Sequence, residues 1–102
     1  MKRILLVCCA GMSTSLLVTR MEEAAKKQGL DVKIWATSEK ALEQDFSQNP
    51  ADVIMVGPQI RYLLNNIKQI VNHSIPVELI DMRTYGMMDG KKVLEQALKA
   101  LG

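Results

Sequence analysis

The chain has 102 residues, of which 48% are hydrophobic and 24% charged, and its formal net charge is +2. This length and composition predict one compact globular domain over residues 1–102. The small net charge, with only one Trp, two Tyr and one Phe, argues against nucleic-acid binding, which needs a basic surface and stacking side chains. No apolar run approaches the roughly 20 residues of a membrane span, so we expect no direct membrane insertion.

The start of the chain, MKRILLVCCAG, mimics a secretory signal peptide because Lys2 and Arg3 precede an apolar stretch. That stretch has seven residues, at the lower limit of the roughly 7–15 found in such peptides. Its removal would also delete the segment that reads as the central strand of the fold. We therefore expect the segment to be kept and the protein to be cytoplasmic.

The first half of the chain predicts two strand–helix pairs. A continuous apolar run at 4–7 predicts the first strand, and the helical pattern that follows over 12–29 ends at Gly29. Residues 31–36 alternate polar and apolar side chains, as a partly exposed strand does, and 38–46 form a short, weak helical pattern.

The second half of the chain repeats this arrangement. A continuous apolar run at 52–57 predicts the third strand, and Pro58 opens a helix whose apolar spacing continues to Val71. Residues 77–81 alternate like the second strand, and Asp89 can cap a final helix. The order β-α-β-α-β-α-β-α predicts an α/β fold with one parallel, four-stranded sheet and helices on both faces.

The strand patterns also predict the order of the sheet. Strands buried on both faces read as continuous apolar runs, so strands 1 and 3 are central and strands 2 and 4 are edges. The order is then 2-1-3-4, which is flavodoxin-like. Ligands of such sheets bind beyond the carboxyl ends of the strands where the winding reverses, between strands 1 and 3. Strand 1 ends at Val7, which places Cys8 at this point, and residues 57–59 and Asp81 at the same edge.

The segment VCCAGMSTS, residues 7–15, has the chemistry of an anion-binding loop. A helix N-terminus carries about half a positive charge and unpaired N–H groups, so it favours the thiolate of Cys8 and other anions nearby. Successive backbone N–H groups can form a nest for phosphate, although the three hydroxyls also suit simple helix capping. The residues predicted to bind phosphate are Cys9, Ala10, Gly11, Met12, Ser13, Thr14 and Ser15.

This loop is similar to that of low-molecular-weight tyrosine phosphatases, C-x5-R-[ST], but Thr14 stands at the arginine position. Arginine grips phosphate bidentately and stabilises the charge that develops during transfer to water. A phosphatase without it loses its main clamp, whereas a carrier that holds phosphate on sulfur loses less. The sequence therefore favours a phosphocysteine relay. A small phosphatase or arsenate reductase and a non-catalytic anion-binding module are the alternatives.

Three segments, VCCAGMSTSLLVTRM, ADVIMVGPQIRYLL and PVELIDMRTYGMMDGKKVLEQAL, resemble the IIB subunits of the bacterial phosphoenolpyruvate:sugar phosphotransferase system, lactose/cellobiose (diacetylchitobiose) type. The resemblance runs from residue 3 to about 99. It implies that a histidine of a IIA protein phosphorylates Cys8, which passes the group to a sugar held by the membrane transporter IIC. The implied sugar is a β-linked disaccharide such as cellobiose.

The same resemblance implies further properties of the chain. Cys9 falls where we expect a small residue, often serine, so it is not the nucleophile. No metal or organic cofactor is implied, and Cys8, Cys9 and the single His73 do not supply the roughly four ligands of a zinc site. Nothing in the sequence requires more than a monomer.

Five further residues at the same edge are candidates for the site rim or for partner contacts: Pro58, Gln59, Asp81, Tyr85 and Gly86. Pro58 can simply start a helix, and Gln59 can be a solvated cap rather than a phosphate contact. Asp81 stands where a phosphatase has its general acid, but a turn residue at a strand end is the simpler interpretation. Tyr85 either lines the site or covers the core.

Overall fold

A computed structural model describes residues 1–8 and 12–102, and for residues 12 and 13 the backbone alone. The strands are β1 (Lys2–Cys8), β2 (Val32–Ser38), β3 (Val53–Val56) and β4 (Val77–Leu79). The α-helices are α1 (Met12–Lys27), α2 (Leu42–Gln48), α3 (Leu64–Ile70), α4 (Met82–Gly86) and α5 (Gly90–Leu101). A 3₁₀ helix, Pro58–Leu63, leads into α3. None of the helices in the described ranges has both the length and the hydropathy that a membrane span requires.

The four strands form one parallel sheet in the order β2-β1-β3-β4, which confirms the predicted fold class. All four residues of β3 and the last five of β1 are buried, whereas β2 and β4 keep partly exposed positions. The central strands are therefore the continuous apolar runs, because both of their faces are covered.

Successive residues of β1 serve two separate cores. Ile4 and Leu6 belong to a cluster with residues of α1 and α5, whereas Leu5 and Val7 belong to a cluster with residues of α2, the 3₁₀ helix and α3. Each of these four side chains is at most 1% exposed, and full burial of such a side chain contributes about 1.5–3 kcal/mol. The alternation follows from the two-residue period of a strand, and it confirms helices on both faces.

Helices α1 and α5 approach each other closely on the first of these faces. A Cβ atom added at Gly90 would lie 2.5 Å from the carbonyl carbon of Arg20 and 2.5 Å from the backbone nitrogen of Met21. The first residue of α5 therefore lies against the backbone of α1, a contact that only glycine permits. Asp89 caps α5 as predicted, since its carboxylate accepts a hydrogen bond from the Lys92 N–H at 3.2 Å.

Helix α1 ends close to the predicted stop. Its last helical residue is Lys27, and Gly29 follows with a φ of +67°. The Leu30 N–H then donates to the Ala25 carbonyl at 2.9 Å, which satisfies a carbonyl of the last turn. Glycine adopts this left-handed backbone without steric cost, so Gly29 ends the helix for a local reason.

Strand β1 was expected to end at Val7 but includes Cys8, and two helices also differ from the prediction. The second helix was expected from residue 38, but β2 continues to Ser38 and α2 begins only at Leu42. The third helix starts at Pro58 as predicted, yet its first turns are 3₁₀, and Ile60 leaves helical geometry with φ −117° and ψ 27°. Both differences reflect tertiary pairing and packing, which local spacing does not record.

Strand β4 ends two residues earlier than expected because Asp81 starts a helix. Its carboxylate accepts hydrogen bonds from the N–H groups of Arg83 and Thr84, both at 3.1 Å. This N-cap fixes α4, a five-residue helix absent from the predicted elements. Asp81 therefore has a structural role, as the simpler interpretation predicts, but that role is to cap a helix and not to form a turn.

Candidate functional site

Cys8 is the last residue of β1 and lies at the point where the sheet reverses its winding. Its neighbours along the sheet edge are Ser38, its partner in β2, and Gly57, which directly follows β3. The Gly57 N–H donates to the Val7 carbonyl at 2.9 Å, which extends the β1–β3 pairing to this edge. The side chain of Cys8 is 4% exposed, so its sulfur lies in a largely desolvated position.

Gly57 makes room for the sulfur-bearing residue. A Cβ atom at this position would lie 3.1 Å from the Cβ of Cys8 and 3.1 Å from Oε1 of Gln59. Such distances are shorter than ordinary carbon contacts, so a larger residue would displace one of the two neighbours. The glycine therefore belongs to the site through its small size.

Thr14 connects the first turn of α1 to the sulfur. Its side chain is 1% exposed, and its hydroxyl forms a hydrogen bond with Sγ of Cys8. A thiolate has no proton to donate, so with Cys8 in that form the threonine hydroxyl is the donor. The residue at the position of the phosphatase arginine thus contacts the sulfur with a neutral hydroxyl.

Tyr85 reaches the same sulfur from α4. It is 6% exposed and packs in the cluster of α1 and α5, while its hydroxyl forms side-chain hydrogen bonds with Thr14, Cys8 and Gln59. Burial raises the pKa of Tyr85 above its ordinary value, and the negative charge of the Cys8 thiolate adds to the increase, although the hydrogen bond with Thr14 opposes it. The phenol therefore stays protonated at neutral pH and remains a donor.

A cavity of about 280 Å³ lies beside Cys8 on the side of β2. Its volume exceeds that of a phosphoryl group by a wide margin, and most of its lining side chains are hydroxyls. The lining residues are Cys8, Thr14, Ser15, Ala36, Thr37 and Ser38. Sequence reasoning missed the contribution of β2. The available signal was the parallel pairing of strands 1 and 2, which brings the ends of both strands to one edge.

The predicted rim residues divide into two groups. Gln59 contacts Tyr85, and Tyr85 contacts Cys8, so both side chains lie close to the cysteine. Pro58 is buried at the start of the 3₁₀ helix, and the Asp81 carboxylate caps α4. An added Cβ at Gly86 meets nothing within 4 Å, so that position is open.

The predicted phosphate-binding loop is only partly described. Thr14 and Ser15 line the cavity, as stated above. Cys9, Ala10 and Gly11 lie outside the described residues, as do the side chains of Met12 and Ser13. Over residues 1–8 and 12–102, no three or more His, Cys, Asp or Glu side chains gather as a metal site would require.

The architecture and the site together define a class of protein. The chain is a flavodoxin-like α/β domain with a buried cysteine at the switch point of its sheet, next to the start of a helix. The family model described as "PTS system, Lactose/Cellobiose specific IIB subunit" matches residues 3–96, and the chain belongs to this family of sugar phosphotransferase components. The resemblance found in the sequence is thereby confirmed, and EIIB components act as phosphotransferases.

Named relatives support the same assignment over the full length. The oligo-beta-mannoside-specific EIIB component of Bacillus subtilis is 46% identical, with 99% of this chain and 97% of the relative covered. The galactose-specific EIIB component of Lactococcus lactis subsp. cremoris and the cellobiose-specific one of L. lactis subsp. lactis are each 42% identical, with 94% of this chain and 93% of each relative covered.

Two solved structures share the fold. The solution structure of a cellobiose-specific IIB component from Borrelia burgdorferi has a TM-score of 0.80 and 40% identity, covering 98% of this chain and 91% of that one. The lactose-specific IIB domain of Streptococcus pneumoniae has a TM-score of 0.83 at 18% identity, covering 97% and 96% of the two chains, and supports the fold alone.

Proposed function

We propose that this chain is a cytoplasmic phosphocarrier whose Cys8 accepts a phosphoryl group from a histidine of a IIA protein and passes it to a sugar held by the membrane transporter IIC. The observation that carries the proposal is the position of Cys8. Its sulfur lies at the switch point of the sheet, is hydrogen-bonded by Thr14 and borders a cavity of about 280 Å³. EIIB components work with IIA and IIC components, which supplies both partners.

The proposed chemistry has two displacement steps at phosphorus. In the first, the Cys8 thiolate attacks the phosphohistidine, so the S–P bond forms, the N–P bond breaks and the nitrogen keeps its electron pair. In the second, a sugar hydroxyl oxygen attacks, the S–P bond breaks and the sulfur leaves again as a thiolate, while the hydroxyl proton passes to a base. A covalent intermediate of this kind divides one transfer between two proteins into two simpler steps.

The hydrogen-bond donors that the described residues supply at the sulfur are neutral groups and carry no fixed positive charge. Thr14 and Tyr85 each form a side-chain hydrogen bond with the sulfur, and Gln59 forms one with the Tyr85 hydroxyl. The N-terminus of α1 and residues 9–15 are proposed to receive the phosphoryl oxygens. This set suits a carrier better than a phosphatase, because transfer to water would need the charge that arginine provides.

The two protein partners are proposed to dock around Cys8. The segments 57–62 and 81–90 border this edge of the sheet, and they expose Tyr62, Met82 and Met87. Exposed apolar side chains of this kind are adaptable contact groups. The sugar is proposed to be β-linked, as in cellobiose, and its selection to belong mainly to IIC.

Intact-protein mass spectrometry tests the relay. The chain is incubated with phosphoenolpyruvate, the two general phosphotransferase proteins and a matching IIA, and the adduct is located by peptide mapping. We expect one phosphoryl group on Cys8, which is lost when membranes with IIC and the sugar are added. No adduct in the presence of phosphorylated IIA would favour a plain anion-binding module, and rapid turnover of an aryl phosphate would favour a phosphatase.

Replacing Tyr85 with phenylalanine is expected to make Cys8 less reactive near neutral pH. The exchange removes a donor to the thiolate and keeps the ring in the core. A hydrogen bond to a charged group contributes about 1.5–3 kcal/mol, so the rate at which Cys8 is alkylated near neutral pH should fall by about tenfold. The measurement is the rate of iodoacetamide labelling at neutral pH in a Cys9→Ser background.

The second tyrosine of the chain provides the control for this experiment. Tyr62 is 77% exposed, and we expect the labelling rate of Tyr62→Phe to match that of the unsubstituted background. An unchanged labelling rate in Tyr85→Phe would mean that the phenol only covers the core. The assay needs no partner protein, so its result is independent of the identity of the sugar.

A further inference from the structure

We infer that the hydroxyl of Ser38 donates a hydrogen bond to the phosphoryl group on Cys8, so that the end of β2 forms one wall of the phosphoryl site. The inference deepens the proposed function and rests on it, because it assigns a contact to the group that Cys8 carries. Ser38 lies outside the cysteine loop and outside the segments that surround it in the sequence.

The strand register places Ser38 beside Cys8. The two residues are Cα partners in the parallel pairing of β1 and β2, and neighbouring strands lie about 4.8 Å apart. Leu6 and Ile34 belong to the core cluster on the face of α1 and α5. The two-residue period puts Cys8 and Ser38 on that same face, side by side. Both residues line the cavity of about 280 Å³.

The hydrogen bonds of Ser38 leave its proton available for an anion. Its Oγ accepts a hydrogen bond from the Ala41 N–H at 3.2 Å. A serine hydroxyl has one proton to donate and two lone pairs that accept, so this bond occupies a lone pair and does not use the proton. A phosphoryl group in the cavity presents only acceptor oxygens near neutral pH, and the Ser38 O–H is suited to meet one of them.

Thr37 also borders the cavity, but its hydroxyl is used elsewhere. Trp35 packs in the cluster on the face of α2, and the strand period places the Thr37 side chain on that face too. There its hydroxyl donates to the carboxylate of Asp45 in α2. Its proton is already committed to a charged acceptor, so Thr37 is excluded from the proposed contact although it neighbours Ser38.

Ser38 completes a set of donors on two sides of the sulfur. Tyr85 forms a hydrogen bond with Gln59, which follows β3. Ser38 is the last residue of β2. Strand β1, which ends at Cys8, lies between β2 and β3 in the sheet. Without Ser38, the hydroxyls that contact the sulfur would come from Thr14 and from the β3 side. A phosphoryl oxygen turned towards β2 would then lack the donor that the Ser38 hydroxyl supplies on that wall of the cavity.

The test compares the equilibrium distribution of phosphoryl between IIA and this chain, approached from both directions and measured by intact-protein mass spectrometry. For Ser38→Ala we expect the ratio of phosphorylated chain to phosphorylated IIA to fall by about tenfold, as for the loss of a hydrogen bond to a charged group. The ³¹P resonance of the phosphocysteine should also shift. Ser38→Thr keeps the hydroxyl and should restore the ratio to within about twofold.

Two further variants separate the hydroxyl from the shape of the cavity. Ser38→Val matches Ser38→Thr in shape and lacks the donor, so it should behave like Ser38→Ala. Thr37→Val removes a hydroxyl committed to Asp45, so it should lower the unfolding temperature and leave the ratio unchanged. Equal ratios in Ser38→Thr and Ser38→Val, or the same fall in Thr37→Val, overturn the inference. A chain that takes up no phosphoryl group at all overturns the proposed function itself.

Discussion

Replacement of Cys8 by serine is expected to abolish phosphoryl transfer through this chain, with a loss of more than about a thousandfold. The thiolate is the nucleophile of a cysteine site, and a serine hydroxyl stays protonated at neutral pH unless a strong base stands beside it. Thr14 and Tyr85, which form hydrogen bonds with Cys8, contribute hydroxyls, and these are donors rather than bases.

The measurement is the mass of the chain after incubation with phosphoenolpyruvate, the general proteins and IIA. Serine is close to cysteine in size, and Cys8 is 4% exposed in a strand, so the variant should keep its fold and its unfolding temperature within a few degrees. A folded Cys8→Ser variant that still takes up a full equivalent of phosphoryl group would remove the basis of the proposed relay.

Cys9→Ser is the matched control, because it makes the same chemical change one residue further along. We expect it to take up the phosphoryl group at close to the normal rate, since the family resemblance gives that position to a small residue. Position 9 lies outside the described residues, so the control rests on the sequence alone. Loss of transfer in Cys9→Ser with transfer kept in Cys8→Ser would assign the nucleophile to the other cysteine.

The architecture was predictable because hydrophobic patterns record burial on each face of a strand. The continuous runs of β1 and β3 identified the central strands, and their order placed the switch point beside Cys8. Two helix ends were also predictable from the local sequence. Gly29 ends α1 through its positive φ, and Asp89 caps α5 with its carboxylate.

The elements that escaped prediction depend on contacts with distant parts of the chain. Helix α4 has five residues, and the Asp81 cap that starts it looks like an ordinary turn in the sequence. The extension of β2 to Ser38 follows from its pairing with β1, which no local spacing encodes. The same pairing places Ser38 beside Cys8 at the edge of the sheet, so the missed strand end and the missed cavity residue have one cause.

The side-chain contacts at the sulfur were predictable only in part. Counting along the loop from Cys8 identified Thr14 as a candidate, but it did not predict that the Thr14 hydroxyl contacts the sulfur. Tyr85 left two interpretations open, and the structure combines them, since its ring packs in the core while its hydroxyl reaches the site. A sequence shows that a tyrosine is amphipathic but not which of its two ends meets the site.

Replacement of Gly90 by alanine is expected to lower the free energy of unfolding by about 2 kcal/mol or more and the melting temperature by about 10 °C. The new Cβ would lie 2.5 Å from two backbone atoms of α1, at Arg20 and Met21, and a backbone cannot yield as a flexible side chain does. The helix preference of alanine over glycine, about 1 kcal/mol, opposes the loss only partly. Thermal unfolding followed by circular dichroism gives the comparison.

Gly86→Ala provides the same exchange in a helix without the clash, because an added Cβ there meets nothing within 4 Å. We expect that variant to be as stable as the parent or slightly more stable.

The contrast between the two variants matters for function as well as for folding. Helix α1 carries Thr14 in its first turn, so a displacement of α1 by a side chain at position 90 would move the hydroxyl away from Cys8. Gly90→Ala should then slow phosphoryl uptake even at temperatures where it is folded, whereas equal stability and uptake in both variants would mean that α1 and α5 can separate freely.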